Sequence, residues 1–244
     1  MSVSQGELSK QTSIEFSEQT RDRAREIIAR YPAGRERSAL LPLLHLVQAE
    51  YGHVSPAGIE FCAELLGLTR AQVAGVASFY TMFKRRPAGD WLVSVCTNTM
   101  CGVLGGDRTF ETLREHLGVG HDETTPDGTI TLEHAECLAA CDYAPVLTVN
   151  YEFFDRVQAE QAVEIVDQLQ EGKRPVPDRG ARLCPLPELS LQLAGFADPR
   201  PEGIADGPAG EPTLAGARLA QRHGIAVAGF DPETPIKPKE EDSR

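Results

Sequence analysis

Trp91-Leu92-Val93-Ser94-Val95-Cys96-Thr97-Asn98-Thr99-Met100-Cys101 is the stretch on which the reading of the fold turns. Trp91, Val93 and Val95 share one side of a two-residue alternation, which predicts a strand with an apolar face running directly into a cysteine. From Trp91 to Gly106 no side chain is charged, and Gly102, Gly105 and Gly106 leave backbone N–H groups bare. Asp107 stands where it can cap a helix with Phe110, Leu113 and Leu117 on one stripe and Gly118 at its end. Thr125-Pro126-Asp127-Gly128 reads as a turn, because proline presets one dihedral and glycine accepts a positive one. Thr129–Leu132 and Val146–Val149 read as two further short strands. Ala159–Gln170 then forms an amphipathic helix through Ala162, Ile165, Val166 and Leu169. The order strand–helix–strand–strand–helix predicts an α/β layer, with a right-handed crossover for any parallel pair.

Upstream, residues 1–86 read as a helical bundle of four short members. Ser17 precedes the run Ala24, Ile27, Ile28, Tyr31, which Pro32 stops. Ser38 is the expected cap of a stronger helix through Leu40, Leu41, Leu44, Val47 and Tyr51, with Gly52 suited to a left-handed C-terminal cap. Ser55-Pro56 opens a third helix to Gly67, and Thr69 starts a fourth. The α/β part covers 87–174. Residues 175–244 hold 11 of the 17 prolines and read as an irregular extension. Within it, Leu186, Leu189, Leu191, Leu193 and Phe196 form an apolar group expected to order by lying across a partner, and 214–224 reads as a short helix.

Composition narrows the function classes. With 36 acidic against 24 basic residues the net charge is -12, which argues against nucleic acid as a partner, since phosphate neutralisation needs a basic patch. No run of 18 apolar residues occurs, so no direct membrane insertion is expected. The polar start, Met1-Ser2-Val3-Ser4-Gln5, lacks the order of a signal peptide. A cytoplasmic location follows as an expectation, and in a reducing cytosol grouped cysteines point to metal or redox chemistry rather than disulfides.

Four of the six cysteines form two close pairs: Cys96 with Cys101, four residues between, and Cys137 with Cys141, three between. Loops beside strands can turn two thiolates toward one point while the sheet fixes the distance between pairs. Four thiolates suit an iron–sulfur cluster or a structural zinc, and spacing alone leaves both open. The uncharged, glycine-rich surroundings of the first pair favour the cluster, because bare N–H groups can hydrogen-bond to sulfur. Glu136 and Asp142 add negative charge at the second pair. Cys62 reads as an inert buried thiol, Cys184 as incidental, and His134 as a surface histidine. No G-x-G-x-x-G fingerprint or P-loop is present, so no dinucleotide site is recognisable.

Cys96-Thr97-Asn98-Thr99-Met100-Cys101, Thr124-Thr125-Pro126-Asp127-Gly128 and Glu136-Cys137-Leu138-Ala139-Ala140-Cys141-Asp142-Tyr143-Ala144-Pro145 together resemble the thioredoxin-like 2Fe-2S ferredoxin family that serves respiratory NADH dehydrogenase, the NADH-quinone oxidoreductase of complex I. Ala77-Ser78-Phe79-Tyr80 matches a further family signature, and the likeness spans about residues 20–173. The resemblance implies a thioredoxin-like domain after the bundle and one 2Fe-2S cluster held by Cys96, Cys101, Cys137 and Cys141. It also implies a partner subunit that carries FMN, binds NADH and passes on single electrons, with the rest of the peripheral arm beyond it. The chain would then attach to the membrane only through the complex. An equivalent diaphorase component of an NAD-linked hydrogenase or formate dehydrogenase is the near alternative, and a zinc-stabilised structural component the alternative from another class.

Overall fold

The computed structural model describes residues 16–198 and 210–225. The first helix, α1 (Glu18–Ala29), starts where Ser17 Oγ accepts the Thr20 N–H at 3.2 Å, as the sequence predicts. The expected Ser38 cap is not found. Residues Glu36–Ala39 form a 3-10 turn that runs into α2 (Leu40–Tyr51), whose cap position is Ala39. Entry through a tighter turn removes the need for a side-chain cap. Gly52 closes α2 at φ +71°. In α3 (Pro56–Leu66) Ser55 caps and proline fills the first turn; in α4 (Arg70–Phe79) Thr69 and Gln72 make a reciprocal capping box. Leu43, Leu44, Leu46, Val47 and Cys62 are fully buried among these helices, each large aliphatic contributing about 1.5–3 kcal/mol.

The second layer is a five-stranded sheet in the order β2-β3-β1-β4-β5. Its members are β1 (Trp91–Cys96), β2 (Glu123–Thr124), β3 (Ile130–Ala135), β4 (Leu147–Val149) and β5 (Glu152–Phe154). β1 lies parallel to β3 and antiparallel to β4; the other pairings are antiparallel. Between β1 and β2 run α5 (Thr99–Val103) and α6 (Gly106–Leu117), and after β5 comes α7 (Ala159–Gln170). Trp91, Val93 and Val95 do share one face, packed with Leu113, Ile130, Leu132, Ile165 and Val166. Asp107 does not cap α6. Gly105 holds that position at φ +111°, and Asp107 sits in the first turn, where its charge complements the helix dipole. β4 and β5 are joined by Asn150 and Tyr151, both at positive φ (+47° and +69°), the backbone of a tight two-residue hairpin.

Most of the apolar group of the extension is covered within the chain, contrary to expectation, with Leu191 and Phe196 partly buried and Leu193 left exposed. Leu183, Leu186 and Leu189 are buried, and α8 (Leu186–Leu193) packs on α2. Arg30 donates to Ala194 O at 3.2 Å and Gly195 O at 3.0 Å and lies over the Phe196 ring. The buried Asn150 side chain pins the approach to α8: its Nδ2 donates to Asp90 O and Cys184 O, and its Oδ1 accepts the Leu92 N–H. Proline content had hidden a docking helix whose partner surface lies far back in the sequence. A separate unit holds α9 (Glu211–His223), which is capped at Gly224; none of the helix's residues is buried.

Candidate metal centre

Parallel pairing builds the site. Cys96, the last residue of β1, stands in register with Ala135, the last of β3, so the chain leaves both strands at the same sheet edge. Cys137 follows two residues later. Ligands in α/β sheets gather outside the carboxyl ends of parallel strands, and both cysteine pairs are there. Thr97 N–H donates to Ala135 O at 3.2 Å and Asn98 Nδ2 to Glu136 Oε2 at 2.9 Å, tying the two loops together.

The first pair is buried within regular structure. Cys101 lies on the one-turn helix α5, and Cys96 N–H donates to Val146 O at 3.1 Å. α6 begins so close to this pair that a Cβ on Gly106 would fall 2.4 Å from Cys96 O and 2.9 Å from Cys101 O. Only glycine permits that approach. Burial pushes the Cys101 thiol up to about 11; a hydrogen bond with the Val146 backbone works against this, while a hydrogen bond given to Cys96 and the charges of Cys96 and Cys141 add to it. Cys141 thus lies within electrostatic reach of the first pair.

The second pair is exposed. Cys137 Sγ and Cys141 Sγ are 3.6 Å apart, in hydrogen-bond contact, and that contact raises the Cys141 thiol. Ala139 adopts φ +57°, uncommon for a residue with a Cβ, and turns its N–H onto Cys137 Sγ at 3.4 Å. Cys96, Cys101, Ala140 and Val146 form one apolar cluster, against which Leu138, Tyr143 and Phe153 pack. Among the described residues no three His, Cys, Asp or Glu side chains converge on a single ion position; the sulfurs stand as two pairs. Four thiols, an N–H directed at sulfur and an apolar wall together fit a sulfur-ligated cluster.

Other expectations resolve simply. Cys62 is fully buried, its thiol pushed up to about 12 by burial. Cys184 is buried, its Sγ accepting from Gln192 Nε2 at 3.5 Å. His134 is exposed and its ring lies tilted against that of His121, with 4.1 Å between ring centres. No helix among the described residues is long and apolar enough to cross a membrane. Sequence reading missed Arg179. Its guanidinium lies 4.4 Å from the centre of the Tyr143 ring and is held bidentate by Asp155 at 2.6 and 2.7 Å. No local pattern announces a contact made over that separation.

The profile of the thioredoxin-like 2Fe-2S ferredoxin family matches residues 24–170. The E subunit of NADH-quinone oxidoreductase from Mycobacterium tuberculosis (strain ATCC 25618 / H37Rv) is 57% identical over 212 residues, which cover 87% of this chain and 81% of that one. NADH-quinone oxidoreductase subunit 2 of Thermus thermophilus is 38% identical over 160 residues, covering 65% of this chain and 88% of the relative. Among solved structures, an NAD+-reducing NiFe-hydrogenase in the H2-reduced state aligns with a TM-score of 0.49 at 18% identity, over 54% of this chain and 22% of that one.

Proposed function

The chain belongs to the thioredoxin-like 2Fe-2S ferredoxin family, and from that premise we propose that it is the electron-transfer subunit of the NADH dehydrogenase module of a respiratory NADH:quinone oxidoreductase. The observation that carries this reading is the register of β1 against β3, which brings two cysteine pairs from distant sequence to one sheet edge. Cys96 and Cys101 would hold one iron and Cys137 and Cys141 the other, each short spacing closing on a single metal. When bound, a 2Fe-2S cluster supplies a one-electron redox centre.

The chain's own residues set its surroundings. The Ala139 N–H is aimed at sulfur, Leu138, Ala140 and Val146 keep water from the buried side, and Asp142 adds negative charge at the exposed side. Hydride chemistry is left to a partner that binds NADH and FMN, in keeping with the absence of a dinucleotide fingerprint from this sequence. Attachment to the membrane is through that complex.

Purification of the full chain without oxygen tests the reading. The expected product is brown, contains iron and acid-labile sulfide, and gives an EPR signal on reduction. Replacing Cys96, Cys101, Cys137 or Cys141 by serine should remove or strongly distort that signal, while Cys62→Ser and Cys184→Ser should leave it intact. A normal cluster in Cys137→Ser, or a colourless chain with stoichiometric zinc, overturns the assignment.

A further inference from the structure

The loop from Cys137 to Tyr143 packs Leu138, Ala140 and Tyr143 with the apolar cluster around the first pair. Its internal hydrogen bonds include the Cys137–Cys141 sulfur contact at 3.6 Å, the Ala139 N–H on Cys137 Sγ, Tyr143 N–H on Ala140 O at 2.9 Å and a longer Ala144 N–H to Cys141 O at 3.4 Å. Against that stands a left-handed alanine and two exposed thiols. Yet Tyr143, two residues beyond Cys141, is gripped from outside the loop. Two guanidinium groups lie over its ring, Arg179 at 4.4 Å and Arg156 at 5.6 Å. The Arg156 N–H donates to Tyr143 O at 3.0 Å.

Arg179 is itself fixed on several sides. Both branches of its fork meet the nearly buried Asp155 carboxylate, and its backbone pairs with Phe153 as an extra bridge on the edge of β5. Its guanidinium also covers the Phe153 ring at 4.6 Å and attracts Asp142. The next residue, Gly180 at φ +106°, leaves room for the Glu152 carboxylate that accepts the Ala181 N–H at 2.8 Å. Arg179 lies beyond residues 24–170, the stretch that matches the family.

We propose that Arg179 is a positioning residue for the second cysteine pair, holding Tyr143, and through it the 137–143 turn, in the form that presents Cys137 and Cys141 to one metal. The inference rests on the cluster assignment made above. It acts through stacking and a bidentate fork, neither of which lysine reproduces.

The test uses the full chain carrying its cluster, with iron transfer to a ferrous chelator and the EPR line shape of the reduced protein as readouts. Arg179→Gln should release iron roughly tenfold faster or more, the scale seen when groups that orient metal ligands are removed. Arg179→Lys should fall between, and Tyr143→Leu should match Arg179→Gln. Combining Tyr143→Leu with Arg179→Gln should add nothing further, because both remove one clamp. Leu186→Ala, a buried change remote from the loop, reports what general destabilisation does. The proposal fails if Arg179→Gln releases iron at the wild-type rate with an unchanged line shape. It also fails if the two clamp changes add, or if Leu186→Ala accelerates release equally. A wild-type chain that takes up no iron overturns the cluster assignment instead.

Discussion

The two cysteine pairs are chemically alike and built in opposite ways. Cys96 and Cys101 sit at the end of a strand and on a helical turn, buried, with α6 pressed so closely against them that Gly106 admits no side chain. Cys137 and Cys141 are exposed on an irregular loop, held by a left-handed alanine and by a clamp on Tyr143 from a distant segment. Backbone regularity secures the first pair, and long-range side-chain contacts secure the second. In the proposed centre, such a division would set one pair in regular backbone and the other on a loop held by side chains.

Changes on each side can break or sharpen this contrast. Gly106→Ala has the largest expected effect. Its Cβ meets two backbone carbonyls that cannot rotate aside, so a loss of about 3 kcal/mol in denaturant unfolding is expected, with loss of iron. Retention of iron at wild-type stability would show that the first pair is less rigid than described.

A reference within the helical layer comes from His45, buried with Nδ1 unpartnered and its ring 4.8 Å from Phe83. Burial holds its imidazole down to about 4, from an ordinary 6.5. The unfolded chain therefore takes up a proton where the folded chain does not. That contribution is intact above about pH 6.5, falls as pH drops, and is lost below about 4, amounting to about 2–3 kcal/mol. His45→Leu should flatten that part of the stability–pH curve and leave the iron signal untouched. An unchanged slope between pH 4 and 6.5 would place the acid sensitivity elsewhere.

Asn98→Ala removes the bond to Glu136 that joins the two loops and should cost about 0.5–1 kcal/mol, visible as a small shift in the unfolding midpoint. The smallest change is Asp142→Asn, which removes a negative charge beside the second pair. It should raise the reduction potential by an amount on the order of tens of mV in a low-salt titration. Arg179 attracts the same carboxylate, so a null result there would mean that the two charges already offset each other.

Most of what positions the site was legible. The alternation in Trp91–Val95, the caps at Ser17, Ser55 and Thr69, and the glycines 52, 67 and 118 each state their structure within a few residues. The two-residue strand β2, the three-residue strand β5 and the one-turn helix α5 are too short to carry a period. Ser38 misled because a 3-10 turn made its cap unnecessary, and Leu186–Leu193 misled because local proline content says nothing about α2. The cysteine pairs were readable by spacing. The clamp of Asp155, Tyr143 and Arg179 was not, since each residue there looks like an ordinary surface polar group until the sheet edge folds.

The parallel register of β1 and β3 has a consequence for the order of events during folding. A hairpin forms from neighbours, but this pairing waits until Trp91 finds Ile130 across the whole crossover that carries α5 and α6. The loop-closure entropy is lost before any ladder bond compensates for it, which places the step late and makes it slow. Until then each cysteine pair is a separate dithiol. Without bound metal, the four-sulfur arrangement thus waits on the folding step that pairs the two strands.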